Sequence, residues 1–328
     1  GQFGPDGRLA VTGCHDGLVR LWDIDPVGGA IALRAELPHE GVVWSVKLSR
    51  DGRRLVAGVQ DGTAQVWSIP DFRSDPEAKP ERLGMAIRHA GRVHYAEFSP
   101  DPQGELVVTA SFDYTAREWD SQTGEPVCAP LEHARQVTRA TFNHDGSRIV
   151  TGSHDGTAQV WDVQSGRRLG EPFRHEAVVE VEFDPRDGRR ILTAGWEGVA
   201  RVWEARQGQL HSRIYRHEIE PGYTDGGGRV PRAEFSPDGS LLLTGAMDGV
   251  VRLWDVRTGW PAVDIAHGGA IRSLRISRDG RRAVTVSTRG IGIWNFKTIA
   301  GVEEGKYVST TPILIPGSSA EDAEFSCD

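Results

Sequence analysis

The sequence has little of what announces chemistry. Its 328 residues contain three cysteines, at 14, 128 and 327, with no metal-ligand spacing. An odd number of thiols offers no disulfide framework and favours a reducing compartment, so the expected location is cytoplasmic. Cys14 falls in an expected inner strand, where a thiol behaves as a small hydrophobe. No run is apolar and long enough to span a membrane, and the first residues lack a signal-peptide pattern. Lysine is scarce too: four of the 38 cationic side chains, the rest being scattered arginines. With a formal charge of −8, that argues against a general nucleic-acid binder. No nucleophile elbow, phosphate loop or metal-ligand pattern occurs. Gly226-Gly227-Gly228 lacks the lysine and following helix that phosphate binding needs. No cofactor and no metal are expected.

What the chain does have is repetition. Residues 151–162, Thr-Gly-Ser-His-Asp-Gly-Thr-Ala-Gln-Val-Trp-Asp, read as a β-hairpin: a strand ends near Ser153, Asp155-Gly156 turn, and Thr157–Trp161 return. Copies end at Trp22, Trp67, Trp119, Trp161, Trp203, Trp254 and Trp294, at intervals of 45, 52, 42, 42, 51 and 40 residues. A period in this range indicates a repeat architecture. His39, His89, His133, His175, His217 and His267 recur with it, typically 28 residues before the tryptophan. Forty glycines and eighteen prolines suit a chain of many tight turns.

Period, histidine, Asp-Gly turn and tryptophan together resemble the WD-repeat family. Trp-Asp pairs stand at 22–23, 119–120, 161–162 and 254–255, with Trp67-Ser68, Trp203-Glu204 and Trp294-Asn295 as degenerate versions. The Phe-Ser-Pro-Asp phrases at 98–101 and 235–238 resemble bacterial members. The resemblance implies an all-β fold, a single seven-bladed β-propeller domain over 1–328 with four antiparallel strands per blade. The approximate blades are 318–328 plus 1–38, then 39–88, 89–132, 133–174, 175–216, 217–266 and 267–317.

The chain opens as if at the close of a first strand. Its end, Ala323-Glu324-Phe325-Ser326, repeats Ala233-Glu234-Phe235-Ser236. Either that C-terminal strand joins the N-terminal blade and closes the ring, or residues 320–328 begin an eighth repeat. Closure is favoured, because an open ring exposes two strand edges. Blade seven lacks the turn aspartate, and its outer strand is expected within Tyr307–Ile315. Insertions fall at 70–80 and 218–228, and long loops on a rigid scaffold are candidates for function.

The family's structural signature is a buried hydrogen-bonded chain of histidine, Ser/Thr, aspartate and tryptophan. It maps onto His89, Thr109, Asp113 and Trp119; onto His133, Thr151, Asp155 and Trp161; and onto His217, Thr244, Asp248 and Trp254. Glu197 replaces aspartate in blade five, Ala57 replaces threonine in blade two, and blade one has no matching histidine, so those three chains should be incomplete. The same residue types suggest a catalytic triad, but a constellation repeated in several blades is structural, and no catalytic residue is assigned.

The residue before each turn aspartate or its stand-in (His15, Gln60, Phe112, His154, Trp196, Met247) should lie on one face with the early first-strand residues Trp44, His94, Thr138, Val179, Pro231 and Arg272. Trp44, His94, Phe112, His154, Trp196, Met247 and Arg272 are the expected partner-binding rim, aromatic, Met and Arg being enriched at interface centres. The competing role for Trp44 and Phe112 is packing between blades. Arginines at 8, 53–54, 148, 189–190 and 281–282 each neighbour an aspartate, which points to a solvated ion-pair ring. The expected function is a non-catalytic, monomeric scaffold for a protein or peptide, the docking or sensor part of a larger bacterial signalling protein. The alternative is a small-ligand binder or enzyme using the central channel.

Overall fold

The computed structural model describes residues 1–24, 31–204, 212–217, 229–277, 280–298, 307–309 and 313–316. They form seven antiparallel sheets, each of consecutive strands in chain order. The second sheet, for example, runs Val43–Leu48, Arg54–Val59, Thr63–Ser68 and Glu81–Arg88; the third runs Val93–Phe98, Leu106–Ser111, Thr115–Asp120 and Leu131–Glu132. No helix occurs among the described residues. The proposed closure by 318–328 and the 218–228 insertion lie outside them.

The described residues divide into two compact units, one built on 1–155 and 159–172, the other on 156–158 and the described residues from 173 to 316. The first carries sheets one to four, apart from two residues at the head of one strand and two at the end of another; the second carries sheets five to seven.

Burial falls from the inner strands of a sheet outward. Second strands are almost wholly buried, as in Leu241–Gly245, because both faces of the sheet are covered. The outer strand Glu81–Arg88 buries one residue fully, Ile87. Between the first two sheets Val11, Leu21, Val43, Val46, Leu55 and Trp67 form one core. In the second unit Leu192, Tyr215, Ala233, Phe235, Leu242 and Trp254 form another. Each hairpin before a tryptophan strand turns on a residue of positive φ. At Gly156 (φ 84°) a Cβ would meet the carbonyl oxygens of His175 and Glu176 at 2.6 Å.

Three departures from the repeat plan follow from sequence irregularities. The third sheet has an outer strand of only two residues, joined earlier by a bridge from Pro126 to Trp119, since proline cannot donate to a ladder. In the seventh sheet the outer edge comes in two pieces, Tyr307–Ser309 and Ile313–Pro316, both paired with Gly290–Thr298. The 70–80 insertion folds back: Phe72 packs on the core of the first two sheets, and Arg73 pairs with Asp6 at 2.5 Å.

Candidate functional site

The hydrogen-bonded chain is complete in two sheets. In the third, His89 Nδ1 donates to Asp113 at 2.8 Å, Nε2 meets Thr109 Oγ1 at 2.7 Å, and Trp119 Nε1 donates to the same oxygen at 2.8 Å. A carboxylate only accepts, so Nδ1 carries the proton. His133, Asp155, Thr151 and Trp161 repeat it at 3.1, 2.7 and 2.8 Å. The sixth sheet differs. Asp248 lies 3.7 Å from His217 Nδ1, too far for a hydrogen bond, and Arg252 contacts that nitrogen instead. A guanidinium only donates, so the tautomer reverses and Nε2 donates to Thr244 Oγ1 at 2.7 Å, which also accepts from Trp254.

Elsewhere the chain is cut. In the fifth sheet Trp203 still reaches Thr193 at 2.8 Å. His175 Nδ1 lies 2.8 Å from Glu197, out of line for a hydrogen bond. Burial pushes that imidazole down to about 3. In the first sheet Trp22 donates to Thr12 at 2.9 Å, and Arg20 holds Asp16 at 2.7 Å. All these groups are engaged in holding sheets.

A second set of side chains is turned outward by a backbone device. In sheets two, three, four, five and seven the first strand opens with a bulge. Val43 pairs with Val59 but Ser45 with Gly58, so Trp44 is the extra residue. His94, Thr138, Val179 and Arg272 occupy the same place in the others. A bulge breaks the alternation and re-aims its side chain. Thr138 turns inward, buried, and donates to Gly152 O at 3.1 Å. Arg272 is exposed.

In the first unit these residues and the hairpin residues make one row of rings. His15 lies 5.9 Å from Trp44, Trp44 5.8 Å from His94, His94 5.4 Å from Phe112, and Phe112 6.0 Å from His154. His94 stacks within 30° of both its neighbours and its Nδ1 donates to Thr138 O at 2.9 Å. Trp44 donates to Gln60 Oε1 at 2.5 Å yet stays 38% exposed. Inter-blade packing alone would bury it. Burial and the charges of Arg92 and Arg135 hold His154 below the usual imidazole value. Beside Phe112, Tyr114 occupies the turn position that glycine holds in most other hairpins, at φ 75°, the one non-glycine with positive φ among the described residues. That geometry costs about 1–2 kcal/mol.

Arg92 escapes the repeat-based reading. Its guanidinium carbon lies 3.7 Å from the Phe112 centroid and 4.6 Å from that of Trp44. In the second unit Arg229, at the equivalent repeat position, lies 4.7 Å over Trp196. Trp196 and Met247 are 43% and 42% exposed. The signal was present as Arg-Val before a first strand at 92–93 and 229–230, but sequence alone does not say that this residue meets a neighbouring ring.

Among the described arginine-rich turns between first and second strands, Arg189 pairs with its own Asp187 at 3.6 Å. Their aspartates cap the turn: Asp6, Asp51 and Asp187 each accept a backbone N–H two residues on, at 3.1, 2.9 and 3.0 Å. Arg54 donates to Ser121 and Gly104 O instead. In the second unit Arg186, Arg189, Arg190 and Arg257 share a cleft of about 440 Å³ with Asp187, Glu204 and Asp255.

Seven four-stranded blades, each closed by an indole, define a β-propeller. Four segments, 2–23, 33–68, 124–162 and 222–255, match the family described as WD domain, G-beta repeat. Among curated proteins it is 36% identical over 63 residues to the Periodic tryptophan protein 2 homolog of Caenorhabditis elegans, covering 19% of this chain and 7% of that one. It is 33% identical over 87 residues to Pre-mRNA-processing factor 19 of Oryza sativa subsp. japonica (24% and 16%). It is 34% identical over 79 residues to Small ribosomal subunit protein RACK1z of Arabidopsis thaliana (24% of each). The matches therefore span a quarter or less of these relatives' own length.

Proposed function

We propose that this chain is a non-catalytic docking domain that binds a protein or peptide through the bulge and hairpin residues. The observation that carries it is the continuous row from His15 to His154, in which Trp44 is 38% exposed. A row of exposed and half-buried rings held by hydrogen bonds and an arginine is the composition of an interface core. One relative is named as a protein of the small ribosomal subunit, in keeping with such a role. The same reading makes it a monomeric, cytoplasmic part of a larger signalling protein of bacterial type, the Phe-Ser-Pro-Asp phrases being its support. The channel-enzyme alternative is weaker, because the His/Thr/Asp sets hold sheets together.

The test pairs two tryptophans. A partner isolated on the intact chain is measured against Trp44→Ala and Trp203→Ala. Trp44→Ala should lose about 2 kcal/mol of affinity with little change in melting. Trp203→Ala, buried and bonded to Thr193, should lose about 3–5 kcal/mol of stability. Undiminished affinity in Trp44→Ala removes the site.

A further inference from the structure

The arginines of the first unit are not used alike. Arg20 is paired with Asp16 at 2.7 Å and Glu36 at 2.8 Å, and Arg73 with Asp6. Arg92 has no acidic partner among the described residues. It rests on two rings, its Nε is buried with no hydrogen-bond partner, and burial alone pulls it below the ordinary arginine value. The carboxylate that follows Phe112 in sequence, Asp113, is fully committed. One oxygen takes His89 and the Ala90 N–H, the other the Thr115 N–H and hydroxyl. The other charged group acting on this end of the row, Arg135, is positive.

A guanidinium resting on rings keeps its N–H groups in its own plane, so it can be approached edge-on. A planar carboxylate matches that edge with two parallel hydrogen bonds. Of the two cations acting on His154, only Arg92 rests on the rings, and one carboxylate is enough to pair with it. The device recurs: Arg92 O accepts the Phe112 N–H and Arg229 O the Met247 N–H, both at 3.0 Å, each arginine resting on an exposed or half-buried ring.

We propose that Arg92 receives the carboxylate of an acidic side chain in a linear peptide, whose apolar flanking residues lie on Trp44 and Phe112. This rests on reading the face as a peptide-docking surface. The unpaired Arg92 then acquires the partner that other arginines of the unit already have.

The experiment uses three labelled nonapeptide pools with a fixed central residue (Glu, Gln or phosphoserine) and flanks degenerate over Leu, Ala, Ser and Gly. Fluorescence polarisation is read on the intact chain, then on Arg92→Gln, Arg92→Lys and Trp44→Ala. The Glu pool should bind roughly tenfold or more tighter than the Gln pool, about the size of one charge-assisted pair, and weaken with salt. Arg92→Gln should abolish the preference, and Arg92→Lys should retain part of it. Equal binding of Glu and Gln pools overturns the proposal on the intact chain alone, whether or not a variant folds. Tighter binding of the phosphoserine pool overturns it too, as does a preference that survives Arg92→Gln. Equal Glu and Gln binding that is lost in Trp44→Ala leaves the docking face standing and removes only the carboxylate site. Binding by no pool in a Trp44-dependent way removes both.

Discussion

The second and third sheets share one strand plan and nearly identical burial of the closing indole, Trp67 at 6% and Trp119 at 5%. In the third sheet the indole N–H reaches Thr109, and His89 completes the chain. In the second, alanine stands in that place, and Trp67 Nε1 and His39 Nε2 are buried with no partner. His39 meets Trp67 only as an edge-to-face ring at 5.8 Å, and burial foremost pushes it down to about 4. Packing therefore puts the indole in place, and the polar chain adds an increment to an arrangement that forms without it. The third sheet carries a cost the second does not. Glu118 stands where the second sheet has Val66, opposite Val108 as Val66 is opposite Val56. It is 1% exposed, with Oε1 unpaired and Oε2 3.8 Å from Cys128 Sγ.

The largest expected effect comes from making the third sheet like the second at that position. Burial, reinforced by the Asp162 charge against a weak bond from Cys128, raises Glu118 from its ordinary 4.5 to about 7. The folded state thus holds the proton more tightly than the unfolded chain. The contribution of the protonated Glu118 is intact below about pH 4.5 and falls as pH rises toward 7; above that the buried charge is a constant cost to a chain that still folds. Glu118→Val should gain about 3 kcal/mol at pH 8 and much less at pH 4.5, read from urea unfolding at both. A gain independent of pH would place the cost in shape rather than charge.

Next in size, Thr109→Ala would copy the defect of the second sheet into the third. It leaves two buried groups, Trp119 N–H and His89 Nε2, without their shared partner, at a cost of about 2 kcal/mol. A cost no greater than that of an exposed Thr→Ala change would mean that the chain contributes nothing measurable. Smallest is the reverse change, Ala57→Thr. It offers one oxygen to both orphaned groups and should add about 1 kcal/mol, with the Trp67 indole proton shifting in the NMR spectrum. Destabilisation there would show that the second core has closed around the smaller side chain.

Much of the fold is legible in the chain because repetition averages out local ambiguity. One Asp-Gly hairpin is a weak signal, whereas seven tryptophans at a common spacing point to seven sheets. The break in the second sheet was legible as Ala57, since a missing hydroxyl cannot be replaced from within the strand. The change in the sixth was not. His217, Thr244, Asp248 and Trp254 all carry the right letters, but Arg252, one turn of the pleat away, displaces the carboxylate. Glu118 also passed unnoticed, because a glutamate in a strand shows its oddness only when the register reveals that its counterpart is a buried valine.

The sequence by itself determined the number of sheets, the order of their strands and the residues that close each one, because these follow from hydrophobic period and turn chemistry along a contiguous stretch. Tertiary structure alone decided which outward side chains meet. Trp44, His94, Phe112 and His154 come from four hairpins and bulges on three sheets, and Arg92 rests on rings from two of them. A one-residue bulge settles whether Trp44 points into the core or out of it, and that choice depends on the register of paired strands rather than on the residue's own identity.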